Sequence, residues 1–155
     1  MFFLVRNEEY HTFSEYMKSN SLTPSEEDYI EMIYRLSFEE SSIKLNDISK
    51  SLNIKPPSVT KMVKKLDKKN LLIYTKYGDI KLTRIGKIVG KKLLDRHNTI
   101  YEFLMLIGVE DGIHEETEKI EHTISVETLR KINKLIDFLN HEKDILEKLR
   151  NFKRD

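Results

Sequence analysis

Capping and turn-forming residues recur so closely between Thr23 and Thr83 that this stretch has room only for short helices and one tight hairpin. Thr23 or Ser25 caps a first helix, Pro24 fits its first turn, and Glu26, Glu27 and Asp28 meet the positive end of the helix dipole. Ile30, Ile33 and Tyr34 follow as an i, i+3, i+4 apolar stripe. Ile43-Lys44-Leu45 alternates like a strand, Asn46 is expected to cap a two-turn helix with Ile48 and Leu52 on one face, and Asn53 suits a turn. Pro56-Pro57 start another helix, because proline is tolerated in a first turn and not in an interior. Val59, Met62, Val63 and Leu66 make its buried stripe. Leu71-Leu72-Ile73-Tyr74, the turn Tyr77-Gly78-Asp79 and Ile80-Lys81-Leu82 read as a β-hairpin. Helix, short strand, helix, helix and hairpin is the order of a winged helix-turn-helix.

Beyond the hairpin the pattern is wholly helical. Thr83 caps a helix expected to run through Ile100, Phe103, Leu104 and Ile107 to Gly108. A short acidic helix follows around Glu115 to His122, and Ser125 caps a longer one with Leu129, Ile132, Leu135, Ile136 and Leu139 on one face. So few amphipathic helices enclose a core poorly, so they are expected to pair with a second copy, with packing on the chain's own first module as the alternative. The expected class is mainly α: a winged helix-turn-helix domain over residues 22–92, then an α-helical dimerisation domain over 93–142. Residues 1–21 read as an N-terminal extension without an assigned role, and 143–155 as a C-terminal tail.

Net charge is +1, but the charges are segregated. Residues 1–54 sum to −5, residues 55–92 to +10, and residues 93–155 to −4. A block this basic suits a phosphate-binding surface, although a solvated lysine-rich face has the same composition. On DNA, a recognition helix enters the major groove by its N-terminal end, which here offers Pro57, Ser58, Thr60 and Lys61. Lys64, Lys65, Lys68 and Lys69, with Lys76 and Lys81 of the wing, are expected to neutralise backbone phosphates. Met1-Phe2-Phe3-Leu4-Val5 gives way to Arg6-Asn7-Glu8-Glu9, far short of the roughly 18 apolar residues of a membrane span, so a cytoplasmic protein without a membrane partner is expected.

With no cysteine in the chain, a metal would have to be held by carboxylates and imidazoles. Glu118-x-x-Glu121-His122 puts two carboxylates and an imidazole on one helical face, Asp28-x-x-Glu31 is a second acidic pair, and His97 sits on the connecting helix. Each alone also reads as a solvated face or a packed histidine.

Several separated motifs together resemble the diphtheria toxin repressor family, most of all its short manganese-responsive branch. They are Thr23-Pro-Ser-Glu-Glu-Asp-Tyr-Ile-Glu-Met-Ile-Tyr34, Ser58-Val-Thr-Lys-Met-Val-Lys-Lys-Leu66, Leu82-Thr-Arg-Ile-Gly86, Arg96-His97 and Ile120-Glu-His122. The likeness runs in order from about Leu22 to Asn140. It implies a winged-helix DNA-binding domain, a helical dimerisation domain, and two divalent metals per subunit on Asp28, Glu31, His97, Glu118, Glu121 and His122. Iron-responsive relatives place methionine at the position of Asp28 and cysteine at that of Glu118. Oxygen donors there favour Mn²⁺, with Fe²⁺, Co²⁺ or Cd²⁺ as alternatives. The resemblance further implies a homodimer on a pseudo-palindromic double-stranded operator, repression of metal-uptake genes, and no SH3-like third domain. The first 20 residues, His11 among them, depart from the family pattern. Two other readings compete: a winged-helix regulator of an organic ligand, and, more distantly, a carboxylate-bridged dimetal enzyme, which leaves the basic winged helix unexplained. The expectation is of a regulator and not an enzyme.

Overall fold

The computed structural model describes residues 2–153, with side chains from residue 8 onward. Its elements are α1 (Phe2–Ser19), α2 (Pro24–Glu39), α3 (Leu45–Leu52), α4 (Pro56–Lys68), β1 (Leu72–Tyr74), β2 (Ile80–Leu82), α5 (Arg84–Leu106), α6 (Ile113–Glu121), α7 (Val126–His141) and α8 (Lys143–Asn151). Two compact units meet in sequence within α5, the first ending at Leu94 and the second beginning at Asp95.

In the first unit the apolar stripes of the three short helices converge. Ile30 and Ile33 of α2, Ile48 of α3, and Val59, Val63 and Leu66 of α4 are fully buried together. β1 and β2 pair antiparallel, with Leu72 opposite Leu82 and Tyr74 opposite Ile80, and Leu72 and Ile80 seal the same core. The expected strand at Ile43 is a single bridge, in which the Ile80 amide donates to the Ile43 carbonyl at 2.8 Å. A wing attached this way is held by one long-range backbone bond as well as by its own hairpin. Its left-handed turn residue is Tyr77, φ 63°, and not the adjacent glycine.

Local chemistry explains the helix starts. Thr23 and Glu26 form a reciprocal capping box on α2: the Glu26 amide donates to Thr23 Oγ1 and the Thr23 amide to Glu26 Oε2 at 2.9 Å. Asn46, the expected cap of α3, instead lies inside it. The helix begins two residues earlier, with Lys44 as its cap, because the Asp47 carboxylate accepts the Lys44 amide at 2.8 Å, satisfying the end without Asn46. Thr83 caps α5 as expected, its hydroxyl accepting the Gly86 amide at 3.0 Å. Gly86 is required for space: a Cβ there would lie 1.8 Å from the Leu71 carbonyl oxygen.

Two segments left without elements in the sequence reading are helical. Residues 2–19 form α1, whose Phe13, Tyr16 and Met17 pack on the first unit's core. The Tyr16 hydroxyl donates to the Lys69 carbonyl at 2.9 Å. Residues 143–151, expected in a tail, form α8, with Ile145 and Leu149 on one face. Weak periodicity in α1 and a polar composition in α8 hide both from pattern reading.

The second unit buries Ile100 and Leu104 of α5 with Ile136 and Leu139 of α7. Ser125 caps α7 through the Thr128 amide at 3.1 Å, and Thr99 on α5 donates to Asn133 on α7 at 3.1 Å. A considerable apolar surface stays open on this unit: Leu135 and Phe138 of α7, Ile145 and Leu149 of α8, and Met105 of α5 are each more than two-fifths exposed.

Burial, reinforced by the nearby Glu26 carboxylate, pushes the Tyr16 phenol up to about 12. Its contribution to stability is therefore complete below pH 10 and lost as pH rises through about 12. In an alkaline titration followed by phenolate absorbance, Tyr16→Phe should remove one late-ionising phenol from the seven tyrosines. An unchanged late component would contradict the packing of α1.

Candidate metal centre and nucleic-acid interface

Four potential ligands gather within the second unit. Glu118 and Glu121 sit one turn apart on α6, His122 caps its C-terminus, and His97 comes from α5. Glu118, Glu121 and His122 each present a donor atom within 4.8 Å of the others. His97 Nδ1 is 2.6 Å from Glu121 Oε2 and 3.9 Å from Glu118 Oε1, and His122 Nε2 is 3.5 Å from Glu121 Oε1. Glu121 is only 1% exposed, so its charge needs a compensating cation or proton. Arg96 Nη2 lies 3.4 Å from His122 Nδ1; a guanidinium can only donate, so Nδ1 accepts and the other ring nitrogen faces Glu121.

The donor set fits a hard divalent ion. Two carboxylates and two imidazoles, with no sulfur, offer oxygen and borderline nitrogen, and a close N···O pair bridged by a proton is an arrangement that a cation can replace.

Asp28 and Glu31 occupy one face of α2 in the first unit, as the i, i+3 spacing predicts. Asp28 is half-buried and Glu31 buried, with Glu31 paired to the Arg35 guanidinium on the next turn.

The basic surface also lies in the first unit. Pro57, Ser58 and Lys61 are exposed at the N-terminal end of α4, and Lys64 and Lys68 farther along. Thr60 is half-buried, its hydroxyl donating to the Pro56 carbonyl at 3.1 Å, which leaves its oxygen lone pairs to accept. Lys76 and Lys81 are exposed on the wing, where the Lys76 ammonium lies 5.2 Å from the centre of the Tyr77 ring. A cleft of about 380 Å³ between α3, α4 and the wing is lined by Lys44, Asn46, Lys64, Lys76 and two tyrosines.

Lys65 and Lys69, expected to neutralise phosphates, also reach a carboxylate of the chain itself. Lys65 Nζ is 2.7 Å from Glu26 Oε1, and Lys69 Nζ is 2.8 Å from Oε2. Their charge is drawn toward a carboxylate with no solvent exposure. Burial alone would raise the Glu26 pKa, but the two ammonium groups and the Thr23 amide bring it down to about 2. Sequence reading placed Glu26 in a first turn for its dipole; the lysines that meet it are some 40 residues away, beyond any local pattern.

Comparison with known proteins settles the family. Residues 21–80 match the iron dependent repressor N-terminal DNA-binding domain, and residues 83–150 its metal-binding and dimerisation domain. The chain belongs to the iron dependent repressor family. The HTH-type transcriptional regulator MntR of Geobacillus thermodenitrificans is 43% identical over 133 residues, covering 85% of this chain and 94% of that protein. Among solved structures, the manganese regulator SloR shares 34% identity at a TM-score of 0.66 over 76% of this chain. ScaR with bound Zn²⁺ shares 34% identity at a TM-score of 0.62 over 73%. The chain spans about half the length of these two structures, at 55% and 54%. As a member of the family, the protein is a metal-dependent DNA-binding transcriptional regulator. Among the described residues no helix is long and apolar enough to cross a membrane.

Because Glu121 lies at the centre of the second unit's donor cluster, Glu121→Gln should weaken divalent-metal binding by about 10-fold or more in calorimetric titration. Glu115→Gln, on the same helix outside the cluster, should leave it within about twofold. Equal affinities for wild type and Glu121→Gln would remove Glu121 from the ligand set.

Proposed function

We propose that the protein is a cytoplasmic, manganese-responsive repressor of metal-uptake genes that acts as a homodimer on a pseudo-palindromic operator and performs no catalysis. The observation that carries this reading is the all-oxygen-and-nitrogen donor cluster of Glu118, Glu121, His122 and His97 in the unit that matches the family's metal-binding domain. Asp28 and Glu31 complete the ligand set by the family resemblance, giving four carboxylates and two imidazoles. Two divalent ions would balance the four carboxylate charges. Aspartate at 28 and glutamate at 118 supply hard donors, which suit Mn²⁺ better than sulfur would.

A bound metal would supply fixed positive charge to the carboxylate and imidazole donors, and the chain's own residues do the rest. Without a metal, Glu118 and Glu121 carry like charge one turn apart on α6, which a divalent ion would offset. When the ligands are satisfied, two α4 helices are held at a spacing set by the dimer, and half-sites a helical turn or a multiple apart are matched. Pro57, Ser58, Thr60 and Lys61 approach base edges, while Lys64, Lys65, Lys68, Lys76 and Lys81 neutralise phosphates. Leu135, Phe138, Ile145 and Leu149 provide the apolar surface for the second copy.

The test begins by selecting duplexes from a random pool with the protein in Mn²⁺. Anisotropy at fixed ionic strength should then show binding by a dimer that weakens at least about 10-fold when chelator replaces Mn²⁺. Lys61→Ala should weaken binding in Mn²⁺ and alter the base preference near the helix end, a change worth about 1–3 kcal/mol. Binding unaffected by chelator would overturn the metal switch.

A further inference from the structure

Glu26 joins three elements of the first unit. It stands in the first turn of α2, two residues before Asp28, and one of its oxygens caps that helix by accepting the Thr23 amide. Both oxygens also face α4: Lys65 and Lys69, one turn apart near the C-terminal end of that helix, each place an ammonium within 2.8 Å. Lys69 additionally donates to the Ser21 carbonyl at 3.0 Å, in the segment that leads into α2. Its own carbonyl receives the Tyr16 hydroxyl of α1. The carboxylate is fully buried, and Lys69 is three-quarters buried.

The interdigitated side chains of α2, α3 and α4 already resist sliding, and the Glu26 contact adds a polar restraint between α2 and α4. The contact is charge-assisted and made by both oxygens: moving the first turn of α2 beyond the reach of the two lysine side chains would leave a carboxylate buried without its cations. α2 carries Asp28 and Glu31, while α4 carries Pro57, Ser58, Thr60 and Lys61. Glu26 thus links the helix that carries Asp28 and Glu31 directly to α4, beside the packing of both helices on α3.

We propose that the Glu26–Lys65–Lys69 cluster, braced by Tyr16 of α1, is the mechanical joint that couples metal occupancy on α2 to the placement of the recognition helix. It rests on the metal-switch reading above. In it, the N-terminal helix α1, which precedes the family's matched region, has a role in buttressing the joint. Glu26 is a positioning residue: it touches neither metal nor DNA.

The experiment measures operator affinity by anisotropy in Mn²⁺ and in chelator for wild type, Glu26→Gln and Lys69→Met, using the selected duplex. Mn²⁺ affinity without DNA is measured in parallel by calorimetry, and folding by circular dichroism. Glu26→Gln keeps the capping acceptor and removes the charge. Both variants should lose at least about fivefold of the Mn²⁺-induced gain in DNA affinity while binding Mn²⁺ within about twofold of wild type. The double variant should lose no more than the stronger single one. A purely structural role would shift thermal stability and leave the gain intact, and a lost phosphate contact at Lys69 would weaken both arms alike; either result overturns the joint. Should a variant fail to fold, Tyr16→Phe supplies the same comparison, with a smaller loss of gain expected and an unchanged gain counting against the joint. A wild-type protein with no Mn²⁺-induced gain would instead defeat the metal-switch reading itself.

Discussion

Burying a carboxylate without a cation costs several kcal/mol, a large share of the stability of any small domain. Each unit of this protein places such a group at its centre and meets the cost differently. In the first unit Glu26 is held ionised by two lysines of α4, so the charge is fully compensated within the chain and ties helices together. In the second unit Glu121 is matched by imidazoles, His97 at 2.6 Å and His122 at 3.5 Å. Imidazoles compensate it only by way of a proton, and they bind a divalent ion equally well. In the reading proposed above, one acidic centre serves as a structural joint and the other as a receptor.

This contrast gives meaning to the charge pattern. A net charge of +1 conceals a basic segment containing α4 and the wing, set between two acidic segments. Part of the basic segment faces solvent at the N-terminal end of α4 and on the wing, while Lys65 and Lys69 turn toward Glu26. Part of the acidic charge likewise is buried, at Glu26, Glu31 and Glu121, rather than on a solvated face. The absence of cysteine follows the same logic, since oxygen and imidazole nitrogen are the donors suited to a hard ion.

Much of the winged helix was legible in local patterns, because its elements are short and each is announced by a cap, a proline or a hairpin turn. The stripes of α2 and α4, the Thr83 cap and the Ser125 cap all depend on residues within four positions of one another. The cap of α3 is Lys44 and not Asn46 because Asp47, the third helical residue, captures the Lys44 amide, and lysine is not a residue type that marks a helix start. α1 has little periodicity and is held by packing on the first unit's core, whereas α8 is short and polar, with Ile145 and Leu149 as its sparse apolar face. The ligand types were visible at 118, 121 and 122, but the approach of His97 is set by helix packing. The Glu26 cluster was hidden altogether, since its partners come from α4.

The central claim is that metal and DNA bind to one coupled equilibrium, and coupling must be reciprocal. Its most direct test is the Mn²⁺ affinity of the full chain measured by calorimetry with and without saturating operator duplex. The account predicts that DNA tightens Mn²⁺ binding by the same factor by which Mn²⁺ tightens DNA binding. Mn²⁺ affinities that are identical in the two titrations would contradict it.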